Sequence, residues 1–320
     1  MQNPACRWRS ADGHRRQDQP VQEVSNTQEI WFAGPPGRRS PSGGPAEGKC
    51  SMDRSVVLVT GASRGIGQAT AALLAREGYK VFGTARNPRG HSVSGYEMVP
   101  LDVTSDESVK SCVSAVMRQA GRIDVLVNNA GVGLIGATEE TSVAEARALY
   151  EANFFGAARM INAVLPGMRQ RRNGLIINFG SAAATLPVPF HGYLSSSKAA
   201  ITTLSDALRL EVKSLGIAVT VVEPGAVATH PGELFTELKV AGSIRDYAEQ
   251  QQRAVLVIEH GQTAGSSPKV VAKAVLKIIR TEAPARYYLV GAERWYLRLS
   301  RILPPSAIES LMTRHFHLAS

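Results

Sequence analysis

Residues 55–70 read SVVLVTGASRGIGQAT and join a run of apolar, mostly β-branched residues to a glycine-rich turn. The turn contains Gly61, Gly65 and Gly67, and a helical periodicity begins at its end. Glycines at a strand-to-helix junction let the backbone approach a pyrophosphate, and the helix N-terminus offers free N–H groups and a positive dipole end. The stretch therefore predicts a first strand followed by a dinucleotide-binding turn. Since many such turns need glycine for geometry alone, this prediction needs support from the rest of the chain.

From residue 55 onward, short apolar runs alternate with longer helical stretches. Strands that are apolar throughout are typical of a parallel sheet covered by helices on both faces, which predicts a doubly wound α/β domain. Thr104 and Glu107 have the spacing of a capping box at the start of the second helix. The expected strands are residues 55–60, 80–85, 97–101, 123–128, 174–179, 217–222 and 287–291, and the expected helices are residues 65–77, 105–120, 142–172, 194–215 and 268–281.

The composition excludes several classes of protein. Of 320 residues, 44% are hydrophobic and 20% are charged, which is ordinary for a globular chain. The three cysteines lie far apart without a C-x-x-C pair, so we expect no disulfide framework, no metal site and a reducing, cytoplasmic location. The net charge is +9, but basic and aromatic residues are not interleaved along the chain, which argues against nucleic-acid binding. No apolar run is long enough to span a membrane.

The composition changes near Met52. Residues 1–51 are rich in Pro, Gly, Ser, Gln and Arg and have little periodicity, so we expect a disordered extension there and one folded domain over residues 52–320. Acidic residues in this extension argue against a mitochondrial targeting peptide. Two alternatives stay open for the extension: a working tail, or a start site assigned too early, with Met52 as the true start.

Three motifs in order resemble the short-chain dehydrogenase/reductase family. They are T-G-x-x-x-G-x-G from Thr60, Asn-Asn-Ala-Gly from Asn128, and Pro-Gly from Pro224. The likeness covers residues 55–291 and implies a single Rossmann domain with a seven-stranded parallel sheet that binds NAD or NADP. It also implies a homo-oligomer formed through the helices at 142–172 and 194–215. The cofactor-binding positions that it implies are Gly61, Ser63, Arg64, Gly65, Ile66, Gly67, Arg86, Asp102, Val103, Asn128, Ala130, Gly131, Lys198, Pro224, Gly225, Val227 and Thr229.

The choice of cofactor depends on charge. A dinucleotide fold that selects NAD usually places an acid on the ribose hydroxyls about 20 residues after the glycines. Here that position holds Ala85 and Arg86. With no carboxylate to repel a 2′-phosphate, and with Arg64 as a second cation, NADP is predicted rather than NAD. The alternative is that both arginines lie on a solvated rim.

The resemblance also implies a catalytic set of tyrosine, serine and lysine, with an asparagine that orders a proton-relay water. Asn153, Ser181 and Lys198 match these motifs. The tyrosine does not match, because Leu194 stands four residues before Lys198 and Tyr193 is one position too early. On a helix, positions i and i+4 differ by about 40° around the axis, whereas i and i+5 differ by about 140°.

Two hypotheses follow from the displaced tyrosine. In the first, Tyr193 swings into the pocket from a frayed first helical turn and works with Lys198. The protein is then an NADP-dependent oxidoreductase that interconverts a hydrophobic alcohol and its ketone or aldehyde. In the second, the protein binds the cofactor with weak or no turnover and acts by protein interaction.

By the same resemblance, residues 226–267 form a lid over the nicotinamide and the substrate, with Thr229 near the carboxamide. His191 and His230 flank the expected pocket, although a lone histidine is more often a packing or surface residue. The tail, residues 292–320, mixes basic and large apolar side chains. It is compatible with contact to an anionic membrane surface, with a cover over the pocket, or with a helix packed on the domain, and we prefer the last.

Overall fold

The computed structural model describes residues 55–88, 95–228, 237–239, 242–291 and 302–318. Seven strands in this part form one parallel sheet, which confirms the predicted doubly wound α/β fold. The predicted N-terminal extension and residues 292–301 of the predicted tail lie outside the described residues. No helix in the described part is both long and apolar enough to cross a membrane.

The predicted strands all occur, with shifts of a few residues at their ends. The strands are β1 (Val56–Val59), β2 (Lys80–Ala85), β3 (Glu97–Pro100), β4 (Val125–Asn128), β5 (Gly133–Ile135), β6 (Gly174–Phe179), β7 (Ile217–Pro224), β8 (Glu237–Lys239) and β9 (Tyr287–Val290). The helices are α1 (Gly65–Arg76), α2 (Asp106–Ala120), α3 (Val143–Tyr150), α4 (Gly156–Arg171), α5 (Gly192–Val212), α6 (Arg245–Ala264), α7 (Pro268–Ile279) and α8 (Pro305–His315).

The sheet order places a binding crevice at one end of the sheet. Strands run in the order β3-β2-β1-β4-β6-β7-β9, and every neighbouring pair is parallel. The chain moves from β1 to one edge and then returns through β4 to the other edge. In open α/β sheets, ligands bind outside the carboxyl ends of the strands at the point where the order reverses. That point lies between β1 and β4. Strands β5 and β8 pair separately as a small parallel sheet.

Two hydrophobic cores flank the sheet, because successive side chains of a strand point to opposite faces. Leu58 of β1 belongs to the core that contains Met160 of α4. Its neighbour Val57 belongs to the other core, with Leu74 of α1 and Val271 of α7. Helices packed on both faces in this way hold the carboxyl ends of the strands in a fixed arrangement.

The helix predicted over residues 142–172 is divided into three pieces. Helix α3 ends at Tyr150, a π-helical turn spans Glu151–Phe155, and α4 begins at Gly156. A π-helical turn inserts an extra residue into the i→i+4 ladder and is frequent at functional sites. Periodicity alone does not reveal it, since the apolar stripe continues on both sides. The turn carries Asn153.

Two predicted helix starts are wrong. Ser105, rather than Thr104, caps α2 by accepting the Ser108 N–H at 3.2 Å. Helix α5 begins at Gly192 instead of residue 194 and so includes Tyr193. The structure also contains α6 and α8, in the predicted lid and tail. A helix packed on the domain is the preferred interpretation of the tail, and α8 packs against α6. No helix was predicted for α6, because that stretch is rich in polar residues.

Candidate active site

The glycine turn between β1 and α1 is determined by sterics and by a neighbouring loop. Gly61 adopts φ +67°, a left-handed conformation that favours glycine. A Cβ on Gly67 would lie 2.2 Å from the Gly61 carbonyl oxygen, so a side chain there cannot be accommodated. Asn129 Nδ2 donates to the backbone oxygens of Thr60 and Gly61 at 3.0 and 3.1 Å. The turn therefore presents the N-terminus of α1 at the carboxyl end of the sheet.

A cavity of about 270 Å³ lies over this turn, and we call it the cofactor cavity. The predicted cofactor residues in its walls are Gly61, Ser63, Arg64, Gly65, Ile66, Arg86, Asp102, Val103, Ala130, Gly131 and Val227. The remaining wall residues, which are not among the predicted cofactor-binding positions, are Thr84, Ala85, Leu101, Thr104, Asn129, Val132 and Ala152. The helix N-terminus, the glycine turn and the arginines form a surface suited to a dinucleotide phosphate backbone.

Charged side chains line the outer end of the cofactor cavity. Arg64 and Arg86 are both exposed there. Asp102 Oδ1 accepts the backbone N–H of Thr104 at 3.0 Å and its hydroxyl at 2.7 Å. These hydrogen bonds, with a smaller attraction from Arg86, lower the pKa of Asp102. Asp102 is therefore a carboxylate at neutral pH whose Oδ1 is already engaged with Thr104.

A second cavity of about 840 Å³ adjoins the first, and we call it the substrate cavity. The two cavities share the wall residues Ile66, Asn129, Gly131, Val132 and Val227. The far side of the substrate cavity is formed by α6 and by the end of the described tail. Wall residues from these two elements are Arg253, Leu256, Val257, Ile258, His260, Gly261, Gln262, His315, Phe316 and His317. Described parts of the predicted lid and tail thus contribute to the cavity.

Lys198 projects from α5 into the wall of the substrate cavity. Its Nζ donates to the Phe179 backbone oxygen at 3.2 Å, at the carboxyl end of β6. Burial disfavours the charged form and lowers the pKa of Lys198 to about 8. The side chain is therefore mostly an ammonium at pH 7, but it gives up its proton more readily than an exposed lysine.

Asn153 connects the π-helical turn to two other parts of the site. Its Oδ1 accepts the Val132 N–H at 2.8 Å, and its Nδ2 donates to the Val132 oxygen at 2.9 Å. The same Nδ2 donates to Ser197 Oγ at 3.2 Å. Since Val132 belongs to both cavity walls, the Asn153 amide positions the boundary between them relative to α5.

Ser181 lies just after β6, in the wall of the substrate cavity. Its Oγ accepts the Ala183 N–H at 3.1 Å and caps the short turn over Ala182–Ala184. A hydroxyl that accepts one hydrogen bond keeps its own O–H as a donor. Ser181 can therefore donate to a ligand oxygen in this cavity.

Position 194 places an apolar side chain where the family motif has a phenol. Leu194 lines the substrate cavity, whereas Tyr193 does not belong to the walls of either cavity described here. Both side chains pack against the small cluster of Leu134 and Leu149, but of the two only Leu194 also lines the substrate cavity. The reason is that α5 already includes Tyr193, so its side chain leaves the helix on a different face from Lys198.

His191 precedes α5 and lines the substrate cavity. It is buried, and its burial lowers the pKa of the imidazole to about 4. The ring is therefore neutral at pH 7.

Several predicted cofactor residues lie elsewhere. Asn128 and Gly67 are outside the walls of both cavities described here, and Pro224 and Gly225 line the substrate cavity. Asn128 is the last residue of β4, and its Nδ2 donates to Asn178 Oδ1 of β6 at 2.9 Å. Asn129 has left the strand and faces both cavities instead. Thr229 and His230 lie outside the described residues.

Comparisons with known proteins agree with this geometry. A family model described as short chain dehydrogenase matches residues 55–237. The chain is 37% identical to the 3-ketodihydrosphingosine reductase of Bacteroides thetaiotaomicron, over 75% of this chain and 89% of that protein. A solved short-chain dehydrogenase from Streptomyces avermitilis superposes with a TM-score of 0.71 at 32% identity, covering 82% of this chain and 96% of that one. An alcohol dehydrogenase from the archaeon Thermococcus sibiricus, complexed with 5-hydroxy-NADP, gives a TM-score of 0.59 at 26% identity, covering 75% and 97%.

The family match spans more than half of the chain and includes the glycine turn, β1 to β7 and the Ser181–Lys198 segment. The sheet order and the adjoining cavities agree with it. The chain therefore belongs to the short chain dehydrogenase family, whose members are NAD(P)-dependent oxidoreductases acting on CH–OH and carbonyl groups.

Proposed function

We propose that the protein is an NADP-dependent oxidoreductase that interconverts a hydrophobic alcohol and its ketone or aldehyde by hydride transfer. One observation carries the proposal. The cofactor cavity and the substrate cavity share a wall, and the substrate cavity also contains Ser181 and Lys198. A cofactor in the first cavity and a substrate in the second would meet at that wall.

The preference for NADP rests on the charges at the outer end of the cofactor cavity. Arg64 and Arg86 line it, and the end of β2 has no carboxylate that would repel a 2′-phosphate. Arginine suits phosphate because its planar guanidinium can donate two parallel hydrogen bonds. The similar alcohol dehydrogenase from Thermococcus sibiricus is complexed with an NADP derivative, which supports this choice.

The chemistry needs hydrogen bonds to the substrate oxygen and a controlled proton. When bound, the nicotinamide supplies or takes the hydride. Ser181 donates a hydrogen bond to the substrate oxygen, and the Lys198 ammonium stabilises negative charge that develops beside it. Asn153 holds Val132, and with it the boundary between the two cavities, against the start of α5.

The class of substrate follows from the walls of the substrate cavity. Leu186, Val188, Leu194, Leu256 and Phe316 are among the apolar residues that surround it. A lipophilic alcohol or ketone would bury its carbon skeleton there and gain the free energy of leaving water. The similar protein from Bacteroides thetaiotaomicron is named as a reductase of a keto compound.

A second candidate function is cofactor binding with weak or no turnover, and Leu194 is the observation that favours it. Leucine has no proton to donate, and Tyr193 lies outside the walls of both described cavities. Under this alternative, the protein acts through interaction with another macromolecule when the cofactor is bound.

We extend the proposal to a homo-oligomer formed through the segment that precedes α4 and through α5. Phe155 and Leu210 are 47% and 77% exposed there. Large exposed apolar side chains, Phe155 in the π-helical turn and Leu210 in α5, are suited to an interface between copies of the chain.

The deciding experiment follows NADPH consumption with a panel of lipophilic ketones. Wild type should turn over at least one ketone, and Ser181→Ala should lower kcat about 100-fold while NADPH still raises the melting temperature. Cofactor-induced stabilisation without any turnover, in both proteins, would instead establish the second candidate. Absence of stabilisation by either NADPH or NADH would contradict both.

A further inference from the structure

His191 is 7% exposed in the wall of the substrate cavity. Its Nε2 atom is buried and has no hydrogen-bond partner among the residues that the structure describes. A buried polar atom without a partner is unfavourable, because the group has given up its hydrogen bonds to water. His191 lines the substrate cavity, and a ligand that reaches Nε2 from there would supply the missing partner.

The backbone just before His191 is strained. Phe190 has φ +61°, in the left-handed region that bulky residues rarely adopt. The Gly136 N–H donates to the Phe190 oxygen at 2.9 Å, and the His191 N–H donates to the Val188 oxygen at 3.2 Å. These contacts hold the turn that delivers His191 to the cavity. Strain that the surroundings maintain in this way is concentrated at functional sites.

His191 is the N-cap residue of α5, directly before the helix that carries Leu194 and Lys198. Leu194 and Lys198 are four positions apart, a spacing that aligns side chains along one face of a helix. All three line the substrate cavity. Leu194, in the middle, cannot exchange a proton. The imidazole is one turn before it, and the ammonium is one turn after it.

Building on the proposed function, we propose that His191 is a catalytic residue that accepts the proton of the substrate alcohol, in place of a tyrosine at position 194. In this oxidation the alcohol O–H bond breaks and its proton goes to a ring nitrogen of His191. The C–H bond on the same carbon breaks, its electron pair leaves as hydride to the nicotinamide of NADP⁺, and the C=O double bond forms. The imidazolium then loses its proton to water.

Burial leaves the His191 ring neutral at pH 7, so one ring nitrogen has a lone pair that can accept a proton. Burial, rather than a neighbouring charge, lowers the pKa of the imidazole to about 4. Charge that develops on the substrate during proton transfer interacts with the other titratable groups of the cavity. These groups are Lys198 on α5, Arg253 and His260 on α6, and His315 and His317 at the end of the described tail.

Other groups in the site are less suited to accept the proton. Lys198 is mostly protonated at pH 7 and has no lone pair in that form. Ser181 Oγ already accepts the Ala183 N–H at 3.1 Å, and a neutral hydroxyl is a weak base. Tyr193 packs with Leu134 and Leu149, outside the walls of both described cavities.

The test uses NADP⁺ with three lipophilic secondary alcohols: borneol, menthol and testosterone. Wild type is compared with His191→Phe, Leu194→Tyr and the double variant. His191→Phe should lower kcat about 100-fold and leave the NADPH-induced thermal shift unchanged. Adding Leu194→Tyr should restore kcat, because a phenol then stands on the face of Lys198. In wild type, kcat should fall as the imidazole becomes protonated at acid pH. The pH profile of His191→Phe should lack this fall.

Each other result overturns the proposal. Equal kcat in wild type and His191→Phe shows that the imidazole takes no part. A loss that Leu194→Tyr does not restore shows that His191 supports the structure only. Turnover by Leu194→Tyr without turnover by wild type overturns the role of His191 but keeps the proposed site. No turnover by any of the four proteins, with NADPH binding intact, is a failure of the proposed function itself.

Discussion

Leu194 and Lys198 lie one helical turn apart on α5, and both line the substrate cavity. An apolar side chain therefore stands on the face of the helix that carries the Lys198 ammonium. The Lys198 Nζ donates to the Phe179 backbone oxygen at 3.2 Å. It also lies near Gly131, a residue of both cavity walls, since a Cβ added to Gly131 would be 3.6 Å from Nζ. The serine and the lysine thus have the spacing of the family motif, but the phenol of that motif is absent. Substitutions at these positions separate the contribution of each group to turnover.

Replacing Leu194 with tyrosine should raise kcat for a lipophilic ketone at least about tenfold. The new phenol would stand on the same helical face as Lys198, where the ammonium lowers its pKa and helps it to donate. NADPH consumption measures the effect. Val270→Tyr, at an exposed position on α7, is the control and should leave kcat unchanged. An unchanged rate in Leu194→Tyr would show that the pocket lacks another component.

Tyr193→Phe should leave kcat within about twofold of wild type, because Tyr193 packs outside the walls of both described cavities. The assay is again NADPH consumption, with NADPH-induced thermal stabilisation as the measure of binding. If this substitution abolishes turnover while binding survives, the hydroxyl of Tyr193 reaches the substrate and α5 must begin later in the working enzyme.

NADPH should stabilise the protein against heat more than NADH does, since Arg64 and Arg86 can pair with the 2′-phosphate. Arg86→Asp should reverse the order, because its carboxylate would repel that phosphate and accept from a ribose hydroxyl. The melting temperature at equal cofactor concentrations measures both effects. Arg118→Asp, on the exposed surface of α2, should keep the wild-type preference. Equal shifts with the two cofactors in wild type would contradict the prediction.

Lys198 should make the stability of the protein without cofactor rise with pH. Its folded pKa of about 8 is below the ordinary value of 10.5, so the unfolded chain binds more protons between these pH values. Below pH 8, the full cost of burying the ammonium is present. Lys198→Met should therefore remove the rise in the free energy of unfolding between pH 8 and 10. Urea titrations at these pH values test this, and parallel curves for both proteins would contradict it.

Gly67→Ala should destabilise the protein and abolish cofactor-induced stabilisation. The added Cβ would lie 2.2 Å from the Gly61 oxygen and 2.5 Å from Asn129 Nδ2, so the whole turn would have to move. Gly167→Ala in α4 is the matched control, because its Cβ would meet a flexible arginine side chain and alanine favours a helix. Chemical denaturation and thermal shifts with NADPH measure both variants. Wild-type cofactor binding by Gly67→Ala would show that the turn adapts.

The local pattern of the sequence was sufficient to predict the strands and the glycine turn. The seven strands of the large sheet are short apolar runs bounded by polar or glycine residues, and burial on both faces requires that composition. The resemblance to the family motif identified Ser181 and Lys198, because the residues of that motif stand at fixed spacings along the chain. Each of these features is determined by residues that are close together in the sequence.

Contacts between distant residues decided the rest. Asn128 turns into the sheet because it pairs with Asn178, 50 residues away, while Asn129 is left to face the cavities. The π-helical turn at Asn153 is held by Val132 and Ser197, on two other segments. Residues near the C-terminus, such as Phe316, reach the substrate cavity only because α8 packs on α6. The strained turn that buries His191 likewise depends on a hydrogen bond from Gly136. Hydrogen bonds and packing contacts between distant segments produce no periodic pattern in the sequence of either segment. These parts of the site are therefore determined by the tertiary structure.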